Sequence, residues 1–247
     1  MKFIEKIAFA MPFPVIVAAV LMHIPKLAGA QTVEEFRTAF SGEWYSFEPA
    51  YSTGDAPCMV SLPAPTDAKV SAANCIDPVS ETARWRIEEG QIVLLTDDGK
   101  QLGSLGGNQF RISGSLPSGD PFILERREGT SLTRAMSAAI AKHKCIFKGY
   151  SDDCVVQSDL ALPEFSDGVG EVSTLTALNV RAQPRGDASI IGSLPEKVCL
   201  KVNACLRASD GFWCRARFGE TDGWIAKTAI RSGEWPVMTY VAECAGE

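Results

Sequence analysis

The sequence predicts an all-β protein of two small antiparallel barrels, joined by a short helical and loop connector. Two observations carry this prediction. Short β-prone runs separated by turn-type residues fill residues 43–126, and a second series begins at Val172 and continues to about Ile230. Repeated short strands at this spacing are typical of antiparallel barrels and sandwiches. No internal repeat relates the two series, so we expect two different modules.

Residues 1–30 have the pattern of a secretory leader. Lys2 and Lys6 precede an almost wholly apolar run. Ala28-Gly29-Ala30 then offers the small residues at which such leaders are cleaved. The rival interpretation is an uncleaved membrane anchor, but prolines interrupt the run, which is shorter than the roughly 20 apolar residues that span a bilayer. We therefore expect cleavage near Ala30, a periplasmic location and no transmembrane anchor in the mature protein.

The charge of the chain bears on its partners. The full chain has a formal net charge of -6. Loss of the leader removes three lysines and one glutamate, which leaves a net charge of -8. Nucleic-acid binding needs clustered Lys and Arg, and the sequence has no such block. We expect no nucleic-acid partner.

The first module is predicted to begin with a short helix at residues 32–40. Thr32 and Glu35 have the spacing of a capping box. Val33, Phe36 and Phe40 fall on one face of the helix. Ser41 and Gly42 end the pattern.

Seven strands are predicted after this helix, at residues 44–47, 58–62, 83–87, 91–95, 101–105, 110–113 and 122–125. Three dipeptides are predicted to be hairpin turns: Glu89-Gly90, Asp98-Gly99 and Gly106-Gly107. The expected core of the module is apolar and largely aromatic or branched. Its members are Trp44, Phe47, Val60, Leu62, Trp85, Ile87, Leu94 and Phe110.

The middle of the chain changes character. Residues 130–144 have apolar side chains at roughly helical spacing, which predicts a second helix. Residues 151–170 are rich in Asp, Ser, Pro and Gly, and their latter half is interpreted as a linker. The predicted organisation is a leader (1–30), a first barrel (31–130), a helix and linker (131–170), a second barrel (171–233) and a tail (234–247).

An ordered set of motifs marks the first module. Phe40-Ser41-Gly42-Glu43-Trp44 opens it, Cys58-Met59-Val60-Ser61-Leu62 follows, and Cys75 comes next. Ala83-Arg84-Trp85-Arg86 then precedes a hairpin at residues 92–99. In this order the motifs resemble the bacterial alkaline-metalloprotease inhibitor family of the AprI/Inh type, over about a third of the chain.

The resemblance implies a roughly eight-stranded barrel with a Cys58–Cys75 disulfide. It also implies that the N-terminal segment enters the active-site cleft of a secreted zinc protease, with main-chain groups approaching the zinc. Carried over by position, this inhibitory segment is Gln31, Thr32 and Val33. It departs from the family pattern in being only about two residues long before the helix. The alternative is a structural domain that keeps the fold without inhibiting.

A second ordered set of motifs lies near the C-terminus. Residues 177–181 read A-L-N-V-R, residues 183–184 read Q-P and residues 191–194 read I-G-S-L. Residues 211–216 read G-F-W-C-R-A and residues 222–225 read D-G-W-I. Together they resemble the bacterial SH3-like (SH3b) domain. The resemblance implies a small barrel that binds peptidoglycan or peptides, or targets a neighbouring module. Trp213 and Trp224 are interpreted as core residues rather than exposed ligand platforms.

All eight cysteines follow the leader, and an even number of cysteines in an exported chain predicts a disulfide framework. Cys145 is expected to pair with Cys154. Cys205 and Cys214 flank a predicted turn, so a bridge across that hairpin is reasonable, and Cys199 would then pair with Cys244. Three pairings of these last four cysteines stay open.

The sequence offers little for catalysis. His143 is the one histidine after the leader, and it is too close in sequence to Cys145 for the two side chains to meet on a helix face. Cysteine-peptidase chemistry requires such a thiolate–histidine pair. No Cys-x-x-Cys zinc spacing or phosphate-binding loop is found. We expect no enzyme activity, no metal and no cofactor.

These observations predict an exported inhibitor of a secreted metalloprotease, with the SH3-like module as a targeting or binding unit. The alternative is a non-catalytic cell-envelope protein whose SH3-like module binds peptidoglycan or a protein partner.

Overall fold

The computed structural model describes residues 32–65, 68–242 and 244. The prediction of an all-β protein is confirmed, because strands dominate and the described residues hold only two α-helices. The predicted leader lies outside the described residues. Within the described ranges, no helix is long and apolar enough to cross a membrane.

The first sheet contains eight antiparallel strands in the spatial order β3-β2-β1-β8-β7-β6-β5-β4. It curls into a half-barrel. Near its two edge strands, the Val70 N–H donates to the Ala83 carbonyl at 2.9 Å. The strands are β1 (Gly42–Ser46), β2 (Cys58–Leu62), β3 (Ser71–Ala73), β4 (Arg84–Glu88), β5 (Gln91–Leu95), β6 (Gln101–Gly107), β7 (Arg111–Ser115) and β8 (Pro121–Glu125).

The hollow of this sheet is filled by a large apolar core. Of the side chains predicted for it, five are buried there: Trp44, Val60, Leu62, Trp85 and Leu94. Ile87 packs against the core while partly buried, and Phe47 is only half-buried. Inward and outward residues alternate along β2 as expected for a sheet with one buried face.

The prediction for Phe110 is wrong, because 44% of this residue is exposed. The turn between β6 and β7 explains the error. The Asn108 side-chain oxygen accepts hydrogen bonds from the backbone N–H groups of Phe110 and Arg111, each at 2.9 Å. This local bonding places Phe110 in the turn rather than in β7. The predicted Gly106-Gly107 turn accordingly lies one step too early, since both glycines belong to β6.

The Glu89-Gly90 turn is found where it was predicted. Both residues have positive φ angles, of 49° and 74°, and they join β4 to β5 directly. Two positive φ angles in a two-residue loop match the twist of the flanking strands. Strand β3 was missed, because its Ser-Ala-Ala sequence carries no strand signal.

Both predicted helices are present, α1 at Val33–Phe40 and α2 at Ser131–His143. The start of α2 is fixed by a capping box in which Thr130 and Thr133 bond each other's backbone. Its end is set by Lys144, which has a left-handed φ of 54°.

The second sheet contains seven strands in the order β12-β11-β15-β14-β13-β10-β18. Its core is smaller and includes Val172, Val180, Val202, Ile225 and Tyr240. The strands are β10 (Gly170–Thr174), β11 (Leu178–Arg181), β12 (Ile190–Leu194), β13 (Cys199–Ala208), β14 (Gly211–Phe218), β15 (Thr221–Ala226) and β18 (Tyr240–Val241).

A third, three-stranded sheet joins the connector to the C-terminal region. Its strands are β9 (Phe147–Lys148), β16 (Thr228–Arg231) and β17 (Trp235–Met238). Strand β9 runs parallel to β17, and α2 packs against β17. The segment that the sequence left as a tail therefore contains β17 and β18, and its Tyr240 is fully buried.

The eight cysteines form four disulfides: Cys58–Cys75, Cys145–Cys154, Cys199–Cys244 and Cys205–Cys214. The structure thus selects one of the three pairings that the sequence left open for the last four cysteines. Disulfides form and persist in oxidising compartments, so this framework indicates an extracytoplasmic protein.

Candidate functional site

The second half of helix α1 is fixed to the first sheet. The Phe36 and Phe40 rings stack at 4.3 Å, and Phe40 stacks on Trp44 at 6.1 Å. The Trp44 indole N–H donates to the Phe40 carbonyl at 2.8 Å. These contacts bind the helix to the apolar core that the sheet encloses.

A buried arginine completes this attachment. The Arg37 Nε–H donates to the Ala64 carbonyl at 2.7 Å, and the guanidinium lies 4.2 Å from the centre of the Trp85 ring. Burial lowers the pKa of Arg37, and the nearby Glu34 carboxylate opposes that shift. A backbone acceptor and an aromatic face therefore replace the water that would otherwise solvate the cation.

The beginning of α1 is open to solvent. Val33 is 68% exposed and Thr32 is exposed beside it. Gln31, the first residue of the predicted inhibitory segment, lies outside the described residues. The structure therefore places Thr32 and Val33 at the exposed end of a helix whose other end is buried. The first turn of this helix also carries Glu34 and Glu35.

The two tryptophans of the C-terminal motifs, Trp213 and Trp224, are both buried, but they lie apart from the core of the second sheet. Trp213 and Trp224 belong to a separate apolar cluster, which we call the interface cluster. It contains Ile123 from β8 of the first sheet, together with Leu206, Ala208, Trp213 and Trp224 of the second sheet. These indoles therefore pack against the first sheet.

A buried ion cluster lies beside the interface cluster. It consists of Arg111 and Glu125, which are cross-strand partners on β7 and β8, and Asp210, from the turn between β13 and β14. The Arg111 guanidinium is 2.8 Å from the Glu125 carboxylate and 2.7 Å from Asp210 Oδ1. All three side chains are almost completely shielded from solvent.

Further hydrogen bonds tie this ion cluster to both sheets. Glu125 accepts from the backbone N–H of Ser209 at 2.7 Å and from its hydroxyl at 2.6 Å. Arg111 also donates to the Pro184 carbonyl at 2.7 Å. Asp210 accepts from the Trp213 indole N–H at 3.0 Å. The cluster therefore bonds first-sheet side chains to two separate turns of the second module.

The ion cluster holds two carboxylates and one guanidinium. Burial raises the pKa of Glu125, although Arg111 and Ser209 oppose that effect. Burial alone would lower the pKa of Arg111, but Asp210 and Glu125 outweigh it, so its pKa is raised. Asp210 Oδ2 is buried without a hydrogen-bond partner in the described part of the molecule. An excess of buried negative charge makes this cluster sensitive to the loss of its one cation.

A buried lysine ties the linker to the second module. Lys227 is fully buried, donates to the Ala161 carbonyl at 3.0 Å and lies 4.9 Å from the centre of the Tyr240 ring. Burial lowers the pKa of Lys227 to about 8, and the Asp159 carboxylate opposes that shift. The predicted linker is therefore held by a specific contact.

The residues considered for cysteine chemistry are used structurally. Cys145 is bonded to Cys154, so it offers no thiolate. His143 packs against Trp235 at 4.3 Å and against Phe147 at 5.9 Å. The imidazole, at the end of α2, therefore packs together with these two aromatic rings.

One group of acidic and sulfur atoms has a spacing that a metal ion would require. Glu171, Cys199 and Cys244 bring one ligand atom each to within 4.8 Å of one another. The two cysteines form a disulfide with each other, however. Metal binding by cysteine requires the thiolate, so this group is a covalent crosslink with a neighbouring carboxylate.

No protein-family model matches the chain, and no curated protein matches it.

Sequence reasoning missed the ion cluster entirely. Arg111 is the first residue of β7 and Glu125 is the last residue of β8. The antiparallel register of this hairpin places the two residues opposite each other. A correct placement of the preceding turn would have revealed this pair. Asp210 carries no comparable signal, because it joins the pair only through the packing of the second module on the first.

Proposed function

We propose that the protein inhibits a secreted zinc metalloprotease, with residues 31–33 entering the active-site cleft. The observation that supports this proposal is the contrast within α1. Its end at Phe40 is stacked on Trp44, whereas Val33 at its start is exposed. A segment carried on a fixed support loses less conformational entropy on binding than a free chain does.

The reach of this segment limits how it acts. Three residues in extended conformation span at most about 10 Å. The first sheet must therefore lie against the rim of the protease cleft when residue 31 approaches the zinc. In this arrangement a main-chain nitrogen or carbonyl oxygen occupies the position of the catalytic water in the open coordination site of the zinc.

We further propose that the mature chain begins at Gln31 in the periplasm. The carboxylates of Glu34 and Glu35 then lie close behind the segment that enters the cleft. Mass spectrometry of the intact exported protein gives the position of the N-terminus directly. A chain that retains residues 1–30 would contradict the short-segment form of the proposal.

The test is a titration of the chain beginning at Gln31 into a serralysin-type zinc protease. We expect inhibition at micromolar concentration or below. Val33→Asp should weaken inhibition at least tenfold, because it places a charge in the segment that enters the cleft. Val169→Asp is the matched control, since Val169 is also exposed (40%) but lies in the linker region.

Two results would overturn the proposal. Absence of inhibition at micromolar concentration removes it for this class of protease. Equal inhibition by the unmodified chain and by a chain lacking residues 31–33 shows that another surface carries the activity. Circular dichroism of each variant checks that its fold is unchanged.

A further inference from the structure

A small groove lies between the second sheet and the β16–β17 hairpin. Its volume is about 190 Å³. Apolar side chains line its floor, among them Leu178, Trp213 and Val237. Ligand pockets for whole small molecules typically have volumes of about 300–1,000 Å³, so this groove is sized for a single side chain with its terminal group.

Two arginines and an exposed tyrosine line the same groove. Arg181 comes from β11 and Arg231 from the end of β16. The Arg231 guanidinium lies 5.3 Å from the centre of the Tyr150 ring, and Tyr150 is 54% exposed. The aromatic ring holds this cation at the edge of the groove.

Neither arginine forms a direct ion pair within the described ranges, although the Asp187 carboxylate is near enough to oppose the lowering of the pKa of Arg181 by burial. Across the described ranges, no carboxylate lies within 4.0 Å of either guanidinium. Asp187, which is closest to Arg181 in sequence, is bonded instead to Arg185 at 2.8 Å. Arg181 makes one backbone hydrogen bond, from its NH1 to the Ala188 carbonyl at 2.8 Å. Other donors of both guanidiniums are therefore available to a ligand.

This arrangement is unusual in a chain with a net charge of -6. Two unpaired guanidiniums beside an apolar floor complement a ligand that has a carboxylate next to an apolar group. Guanidinium groups bind carboxylates through paired, charge-assisted hydrogen bonds. A bare inorganic anion would leave the apolar floor without a partner.

We propose that this groove binds the C-terminal end of a peptide whose last residue is apolar. The terminal carboxylate pairs with Arg181 and Arg231, and the last side chain lies against Leu178, Trp213 and Val237. This site is independent of the proposed inhibitory segment, which belongs to the first sheet. It shares Trp213 with the interface cluster but none of the other four residues of that cluster.

The test uses the full mature chain and acetyl-Ala-Ala-Leu with a free carboxylate as the probe. Its C-terminal amide is the matched ligand control. Isothermal titration should show saturable binding of the acid at millimolar concentration or below, with the amide at least about tenfold weaker, because a charge-assisted hydrogen bond is lost. Added salt should weaken binding of the acid.

Variants locate the site. Arg231→Gln should weaken binding of the acid about tenfold, and Ala229→Leu should block it by filling the groove. Arg217→Gln is the matched control, because Arg217 is an exposed arginine of the second sheet that pairs with Asp222 at 3.3 Å. That variant should bind the acid as the unmodified chain does.

Several outcomes would overturn the proposal. They are equal binding of acid and amide, absence of saturable binding, and unchanged binding by Arg231→Gln. Inorganic phosphate that competes as well as the peptide would show a simple anion site and would also overturn it. None of these results bears on protease inhibition, so the two proposals fail separately.

Discussion

The two main sheets reach stability by different means. Among the described residues, the core of the first sheet contains seventeen buried side chains and one disulfide, Cys58–Cys75. The core of the second sheet contains nine among the described residues. The Cys205–Cys214 disulfide joins β13 to β14, and Cys199–Cys244 joins β13 to the chain beyond β18. Small domains bury too little apolar surface to be stable without such crosslinks. The first sheet therefore rests mainly on packing, and the second depends on covalent bonds and on its neighbour.

The contact between the two sheets also differs in what each sheet contributes to it. The first sheet supplies Ile123 to the interface cluster and Arg111 with Glu125 to the ion cluster. The second module supplies both of its motif tryptophans and Asp210. The second module therefore buries two aromatic side chains in the interface cluster, whereas the first sheet contributes one aliphatic side chain. We infer that loss of the contact harms the second sheet more than the first.

The largest effect is expected from Arg111→Met. This change leaves Glu125 and Asp210 buried without a cation, which should lower the free energy of unfolding by about 4 kcal/mol. Urea denaturation followed by tryptophan fluorescence measures the loss. Arg86→Met is the control, since Arg86 pairs with Glu88 on the surface and such pairs contribute at most about 1 kcal/mol. Similar losses in both variants would contradict a structural role for the ion cluster.

Ile123→Ala is expected to be next in size. It removes the first-sheet side chain at the centre of the interface cluster and should lower the free energy of unfolding by about 3 kcal/mol. Amide hydrogen exchange should become faster in β13, β14 and β15. Unchanged protection of those three strands would show that the second sheet does not need the first.

The double variant Cys205→Ser/Cys214→Ser tests the role of crosslinks in the second sheet. The two residues are 9 apart in sequence, and closing a loop of that size contributes about 2.5 kcal/mol on the chain-entropy model. Because the second core is small, hydrogen exchange should rise in this sheet before it rises in the first. The matched double variant Cys58→Ser/Cys75→Ser should instead lower the free energy of unfolding without opening the first sheet locally.

A further effect, confined to alkaline conditions, is a pH dependence that comes from Lys227. Its folded-state pKa of about 8 lies below its ordinary value of 10.5, so the folded protein binds fewer protons than the unfolded chain between these values. The resulting stability is present above pH 10.5 and is lost as the pH falls through about 8. Lys227→Met should therefore flatten the rise in unfolding free energy over this interval. The exposed Lys201→Met should leave the slope unchanged.

The local patterns of the chain were sufficient for most of the strands. Strands β2 and β5 occur at the predicted residues, because their apolar runs are bounded by clear turn signals. The Glu89-Gly90 turn follows from local backbone preference alone. Phe110 was misassigned because the hydrogen bonds of Asn108, rather than hydrophobicity, decide where β7 begins.

The ion cluster and the groove were not predicted, for a physical reason. The inhibitory segment was proposed from a local motif, whereas the ion cluster and the groove exist only where distant parts of the chain meet. Arg111 and Asp210 are such a pair, and so are Arg181 and Arg231. A single sequence carries no signal for contacts of this kind, because each residue alone is an ordinary charged side chain of a strand or turn.

The parallel pairing of β9 with β17 constrains the order in which the chain can acquire its structure. All strands of the first sheet have been synthesised once Glu125 is added, and Arg111 already has its cross-strand partner then. Strand β9 must wait for β17, and β10, which also pairs with β13, gains its second neighbour only when β18 is added. A nascent chain therefore folds its first half early. Strand β9 of its connector lacks its parallel neighbour until the last strands emerge, and Asp210 is added to a salt bridge that has already formed.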